Sequence, residues 1–430
     1  MALFGIVFLV AGLLVSVGLH ELGHLLPAKR FGVKVSQYFI GFGPTLWSTT
    51  RGGTEYGVKA IPLGGFVRIA GMLAPARPGT PTQRNGQITL AEEARRESAK
   101  ELDPGEEHKA FWRLAAWKKL VVMCGGPAMN LFLAAVLIGV VVSGIGVSRP
   151  TTTIGAINPC VGQASADDCA GKPQSPAARV DLRPGDVVTS WGGRPVSTWP
   201  ELSRAISEGG TSPLSVVVNR AGQTVKVSIT PVLIERPLLK DGKVVVDDAG
   251  APVLKQVAYA GISPAFERQR ESITRVAGMT VDVGIATAKV ILTLPTQLWN
   301  TARGLVTGAD RDATGIVGIV GVADIAGKIT ASQVRDYSGL DRLGDLMMLL
   351  AGLNMSLFVF NLIPLLPLDG GHILGALIEG VRRQIAKSRC KPDPGAFDTA
   401  RLLPLSHAVF VLLVVMTAVL VIADIVNPVS

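Results

Sequence analysis

Apolar residues along this chain gather in four long blocks, at residues 3–26, 120–147, 346–366 and 402–426. Each block is long enough to cross a bilayer as a helix, which takes about 20 apolar residues. With their flanks, they predict membrane spans over 1–28, 120–147, 343–369 and 402–427. The first block does not read as a signal peptide: its basic pair Lys29-Arg30 follows the apolar run, and no A-x-A cleavage pattern is evident. Residues 51–69, RGGTEYGVKAIPLGGFVRI, predict short strands broken by glycine pairs, with Gly64-Gly65 at a turn. Residues 74–109 carry many Pro, Glu, Arg and Lys and few large apolar residues, which predicts a mobile loop. His108 falls in that loop and reads as solvated.

The stretch between the second and third spans contains a globular section at 152–233. An R-P-G-D turn leads into a strand at 187–191 and a Gly192-Gly193 turn. A helix-like stretch at 200–207 and two alternating strands at 214–219 and 224–230 follow. This order resembles a PDZ domain, which implies a peptide ligand taken by strand addition. Residues 234–342 read as a linker region. Within them GIVGIVGVADIAG (315–327) is apolar, but its glycines and Asp324 argue against a span.

Composition agrees with a membrane protein: 48% hydrophobic residues, a mean hydropathy of +0.39 and only 17% charged residues. The net charge of +9 raises nucleic acid as a partner, but aromatics are 5% and no basic cluster interleaves with them, so no nucleic-acid binding is expected. The charge instead flanks the spans. Residues 29–119 hold 15 Lys/Arg, residues 378–404 hold 6, and the much longer 148–342 holds 21. The positive-inside rule therefore puts 29–119 and 370–401 in the cytoplasm and 148–342 outside. Cys160 and Cys169 lie on that outer side, where two close thiols either form a disulfide or stay free.

The chemistry is concentrated in H-E-L-G-H at 20–24. On a helix, positions i and i+4 share a face, so His20 and His24 can bind one zinc. Glu21 is then placed to take a proton from a water activated by that metal. Ionisable residues inside a span are costly and mark a functional site by default. The zincin continuation H-E-x-x-H-x-x-G-x-x-H fails here, because Arg30 occupies the last position. A better third ligand lies in N-L-I-P-L-L-P-L-D-G-G-H at 361–372, where Pro364 and Pro367 break the span and Asp369 follows. The first and third spans run the same way, and His20 lies about 25 Å along the first at 1.5 Å per residue. Both motifs can thus meet at one depth, near the cytoplasmic side. His372 reads as a neighbour of Asp369 or as facing the cytoplasm, and His407 as interfacial.

Together these motifs resemble the site-2 protease family, intramembrane zinc metalloproteases of regulated proteolysis. The resemblance implies Zn²⁺ held by His20, His24 and Asp369, with Glu21 as general base and Asn361 holding substrate or the developing oxyanion. It also implies that residues 58–69, with Gly64 and Gly65, form a membrane-associated β-loop (about 51–72) that grips an unwound substrate, and that Pro364 also binds substrate. Gly125-Gly126-Pro127 with Asn130 resembles the family's G-P-x-x-N element. Asn130 then either contacts substrate or makes a helix–helix hydrogen bond. The expected fold is an α-helical membrane protein of four transmembrane helices, with an extracytoplasmic β-rich PDZ-like domain and the cytoplasmic β-loop. The family's substrates are single-span regulatory proteins such as anti-sigma factors, cleaved within the lipid bilayer of the bacterial inner membrane. A metal transporter would need ligands spread along a path, and the five histidines make only one cluster. A silent scaffold would have no use for Glu21.

Overall fold

The computed structural model describes residues 2–76, 79–84, 87–162, 169–240, 243–244, 253–307, 316–332 and 338–427. They form two compact units, one up to residue 145 together with 271 onward, the other 146–270. The first unit opens with α1 (Ala2–Arg30), uninterrupted through the H-E-L-G-H motif. The chain then makes a hairpin of β1 (Val35–Arg51) and β2 (Thr54–Ile69). Its turn is Gly52-Gly53, both at positive φ, where a side chain would strain the backbone. The first part of β1 pairs with 65–68 on one side and with 55–58 on the other, while 47–51 pairs with 54–58. This corrects the expected turn at Gly64-Gly65. That pair lies inside β2, and Gly65 is needed there because a Cβ would sit 2.9 Å from the Phe39 carbonyl oxygen. Tyr38 ties the sheet to α1 by donating to the Gly18 carbonyl at 2.7 Å.

The segment expected to be mobile contains α2 (Leu90–Lys100), N-capped by Thr89. Its one buried side chain is Arg95, which donates twice to Asp398 at 2.7 Å. The next helix, α3 (Ala116–Gly139), continues as a π-helical stretch over 140–145. It runs antiparallel to α1 in a close crossing. A Cβ on Gly23 would fall on the Gly125 carbonyl, and one on Gly125 would fall on that of Gly23.

The second unit is wider than the expected 152–233. It holds β3 (Val147–Ile157), β4 (Val187–Trp191), α4 (Trp199–Glu208), β5 (Leu214–Arg220) and β6 (Gln223–Ile229). It closes with β7 (Val232–Pro237), β8 (Leu254–Tyr259) and β9 (Ile262–Gln269). The main sheet runs β9-β3-β4-β5-β6, so residues assigned to a linker supply one of its edges. Val188, Trp191, Leu202, Val216, Val218 and Ile229 make the core between sheet and helix. Asp186 of the R-P-G-D turn is buried and accepts from Arg220 Nε at 2.8 Å, which holds its carboxyl below the usual range. Cys160 and Cys169 are joined as a disulfide.

The chain re-enters the first unit through α5 (Ile273–Leu292) and α6 (Leu294–Thr307), bent by 58° at their junction. After them come α7 (Ile319–Ala331) and α8 (Gly339–Asn361). Val276 of α5 lies beside Gly139, at the end of α3, and Ala326 of α7 lies beside Gly5, at the start of α1. Since α1 and α3 are antiparallel, these are the same end of the bundle. Among the described residues four helices are each long and apolar enough to cross a membrane: α1, α3 with its π extension, α8 and the last helix, α10 (Leu403–Val426) with its preceding turn; the bent α5–α6 pair makes a fifth if the two helices are one span. In place of the expected linker over 234–342, the described residues up to 270 are mainly strands and those from 271 to 342 mainly helices. Its apolar glycine stretch is helical from Ile319, and Asp424 of α10 accepts from the Gly321 amide at 2.7 Å.

The third span also departs from expectation. It ends at Asn361, residues 362–368 break it, and α9 (Asp369–Ser388) begins where a loop over 370–401 was expected. The glycines of D-G-G allow the break to fold onto the first turn of α9. A Cβ on Gly371 would lie 2.6 Å from the Leu366 amide nitrogen.

Candidate active site

α1 and α8 run side by side in the same direction. Leu9 packs with Leu346 in one cluster, and four residues beyond Gly12 the Ser16 hydroxyl accepts from Asn354 Nδ2 at 3.0 Å. One further turn along α1 stands His20, and beyond the break after α8 stands Asp369. The His20 and His24 Nε2 atoms are 3.3 Å apart, and each is 3.3 Å from Asp369 Oδ2. Two motifs almost 350 residues apart in sequence thus converge on one point.

This triangle fits a metal ion. Ligands about 2.0–2.1 Å from tetrahedral zinc lie about 3.3–3.4 Å from one another. All three sides match. The electronics agree. His24 Nδ1–H donates to the Val122 carbonyl at 2.8 Å, which fixes the tautomer and leaves Nε2 as a lone pair. Asp369 Oδ2 is buried without a hydrogen-bond partner. Lone pairs brought this close without a donor between them repel unless a cation joins them.

α3 supplies the wall behind the imidazoles. A Cβ on Gly126 would collide with His24 Nε2 and lie 2.8 Å from His20 Cε1, so only glycine fits. Asn130, one helical turn on, is fully buried, and its amide lies 3.0 Å from His20 Nδ1. This contact is a helix–helix hydrogen bond between α3 and α1, the second of the two readings of Asn130. A metal on Nε2 requires a proton on Nδ1, so the amide oxygen is the atom that should face it. The Asn130 oxygen is otherwise without a partner, which points the same way.

Glu21 lies on the other flank of the motif, towards the sheet. A Cβ on Gly65 would lie 3.7 Å from Glu21 Cγ, so the 65–69 edge of β2 passes beside this carboxylate. Gly64 precedes it at positive φ. Asn361 ends α8 and Pro364 lies exposed in the break; neither hydrogen-bonds to the triad. His372 stands one turn into α9, half-buried, and is not among the three converging ligands. His108 and His407 are exposed and bond only to nearby carbonyls. The Val122 carbonyl and Gly126 were not singled out from sequence as partners of the histidines. The Gly125-Gly126-Pro127 pattern was the one available signal.

The profile of peptidase family M50 matches residues 8–392. The chain belongs to peptidase family M50. This is the site-2 protease family that its motifs resemble, and the chain is accordingly a membrane zinc metalloprotease. Among M50 relatives, "Zinc metalloprotease Rip1" of Mycobacterium tuberculosis is 34% identical, over 99% of this chain and 98% of its own. A protein of the same description from Mycolicibacterium smegmatis is 32% identical over the same shares. "Metalloprotease MmpA" of Caulobacter vibrioides is 29% identical, over 86% of this chain and 85% of its own.

Proposed function

We propose that this M50 protein is an endopeptidase that cuts the transmembrane segments of single-span regulatory proteins, anti-sigma factors among them, inside the lipid bilayer. His20, His24 and Asp369 hold the zinc. The observation that carries this reading is the 3.3 Å triangle of their ligand atoms. Bound there, zinc supplies a Lewis acid that makes water acidic enough to attack near neutral pH. Glu21 is the base that would take a proton from the attacking water and return it to the departing amine. Asn130 and the Val122 carbonyl hold the two imidazoles in the tautomer that binding requires.

The substrate must be unwound before cleavage, because a helix buries its own peptide groups. The 65–69 edge of β2 has no further strand paired to it among the described residues, and it runs beside Glu21. An extended segment adding to that edge brings its peptide bonds past the base, with Gly64 and Gly65 keeping the approach clear. The apolar bend in the middle of β1 suits this place, with Leu46 70% and Trp47 60% exposed as if to lipid. Asn361 and Pro364, in the break before Asp369, complete the substrate-binding side. The site lies near the cytoplasmic face of the inner membrane, and the unit at 146–270 lies outside, a PDZ-like domain with a peptide ligand.

Metal analysis of purified variants tests the ligand set. Asp369→Ala should lose most bound zinc, while His372→Ala should keep it. The reverse pattern would move the third ligand from Asp369 to His372.

A further inference from the structure

α9 carries more than the third ligand at its start. Its inner face is fixed to α3 by Glu379, which is buried and accepts from Lys119 Nζ at 2.7 Å. Its outer face has no protein partner among the described residues. Leu374, Leu377, Val381 and Ile385 are all exposed and recur at helical spacing. Beside this stripe α3 and α9 part to leave a cavity of about 390 Å³, lined by Trp117, Leu120, Leu377, Gly380, Val381 and Ile385. Gly380 opens it, since a Cβ there would touch only the Ala116 Cβ, at 3.5 Å.

The cavity sits where α3 begins and α1 ends, so it lies at one boundary of the membrane. Trp117 is exposed at its mouth, a residue suited to the interface. The charge there is one-sided. Lys118 stacks its ammonium over the rings of Phe31 and Trp117 and has no carboxylate partner among the described residues. Lys387 follows the lining residues Gly380 and Gln384 on the same face of α9, also unpaired. The nearby acids are all engaged: Glu379 with Lys119, Asp393 with Arg383, and Asp398 with Arg95 and Arg401.

We propose that this cavity seats one anionic phospholipid of the surrounding bilayer. An acyl chain lies between α3 and the α9 stripe, and the phosphate meets Lys118 and Lys387. A zwitterionic lipid matches the apolar part but brings its own cation to an already positive mouth. The occupant bears on α9, whose first residue is Asp369, so the seat adjoins the machinery without belonging to it.

The test is native mass spectrometry of the full chain, purified in mild detergent and given phosphatidylglycerol or phosphatidylcholine at equal concentration. The expected result is one phosphatidylglycerol retained per chain, at least ten-fold over phosphatidylcholine. Gly380→Leu, which fills the cavity, and Lys118→Gln, which removes the cation, should each lower that retention about ten-fold with zinc content unchanged. Equal retention of the two lipids, wild-type retention by either variant, or a lipid-free dimer closing over the stripe would overturn the proposal.

Discussion

His24 is set before any metal arrives, because its Nδ1–H already donates to the Val122 carbonyl. His20 is set in the same manner by Asn130, and Gly126 leaves both rings just enough room. Outer partners of this kind typically change metal affinity 10–100-fold when removed. Asn130→Ala should therefore weaken zinc binding by about 10–100-fold in competition with a chelator. Gly126→Ala should do more, since its methyl group would occupy the place of His24 Nε2. Wild-type zinc affinity in both would contradict the role given to α3. At this scale the sequence was legible where geometry depends on spacing within one helix, as for the shared face of His20 and His24. Asp369 was legible because two prolines mark a break that a span would otherwise not tolerate. Val122 acts through its backbone and Gly126 through a missing side chain, 98 and 102 positions from His24, and neither leaves a residue-type signal.

The break and α9 form the element on which the third ligand depends. Asp369 begins α9, and the buried pair of Glu379 with Lys119 fixes that helix to α3. Glu379→Ala leaves Lys119 buried without its partner, a change that costs about 3–5 kcal/mol in comparable pairs. It should lower the thermal unfolding midpoint in detergent and also the zinc-loaded fraction, because Asp369 loses its support. A variant with unchanged melting and full zinc would show that α9 is held by other contacts. This helix was read as a loop because its glycine-rich start and the basic residues Arg382, Arg383 and Lys387 obscure a narrow apolar stripe. The α2 segment was read as mobile for a related reason. Its buried residue is an arginine, and the acid that permits burial, Asp398, lies 303 positions away. The hairpin turn was misplaced because residues 51–69 hold two glycine pairs and only strand pairing reveals which one turns.

Across the whole molecule, four helices of spanning length and a β-rich unit follow the hydrophobic pattern closely, since lipid admits few alternatives. The widened second unit and the α5–α6 excursion were less legible, because strand pairing and helix bends depend on distant partners. The proposed sidedness follows charge at the span ends. With Cys124 and Cys390 replaced, a cysteine placed at Glu208 should react with an impermeant reagent in intact cells, and one at Ala99 only after permeabilisation. The opposite pattern would invert the protein. The function itself is tested most directly by reconstituting the purified chain into liposomes with a single-span substrate and mapping the cut by mass spectrometry. The account predicts one cut inside the apolar segment, lost on zinc chelation and slowed at least about 100-fold by Glu21→Gln, the lower range for removing a general base. A cut confined to the soluble part of the substrate, or undiminished cleavage by Glu21→Gln, would contradict it.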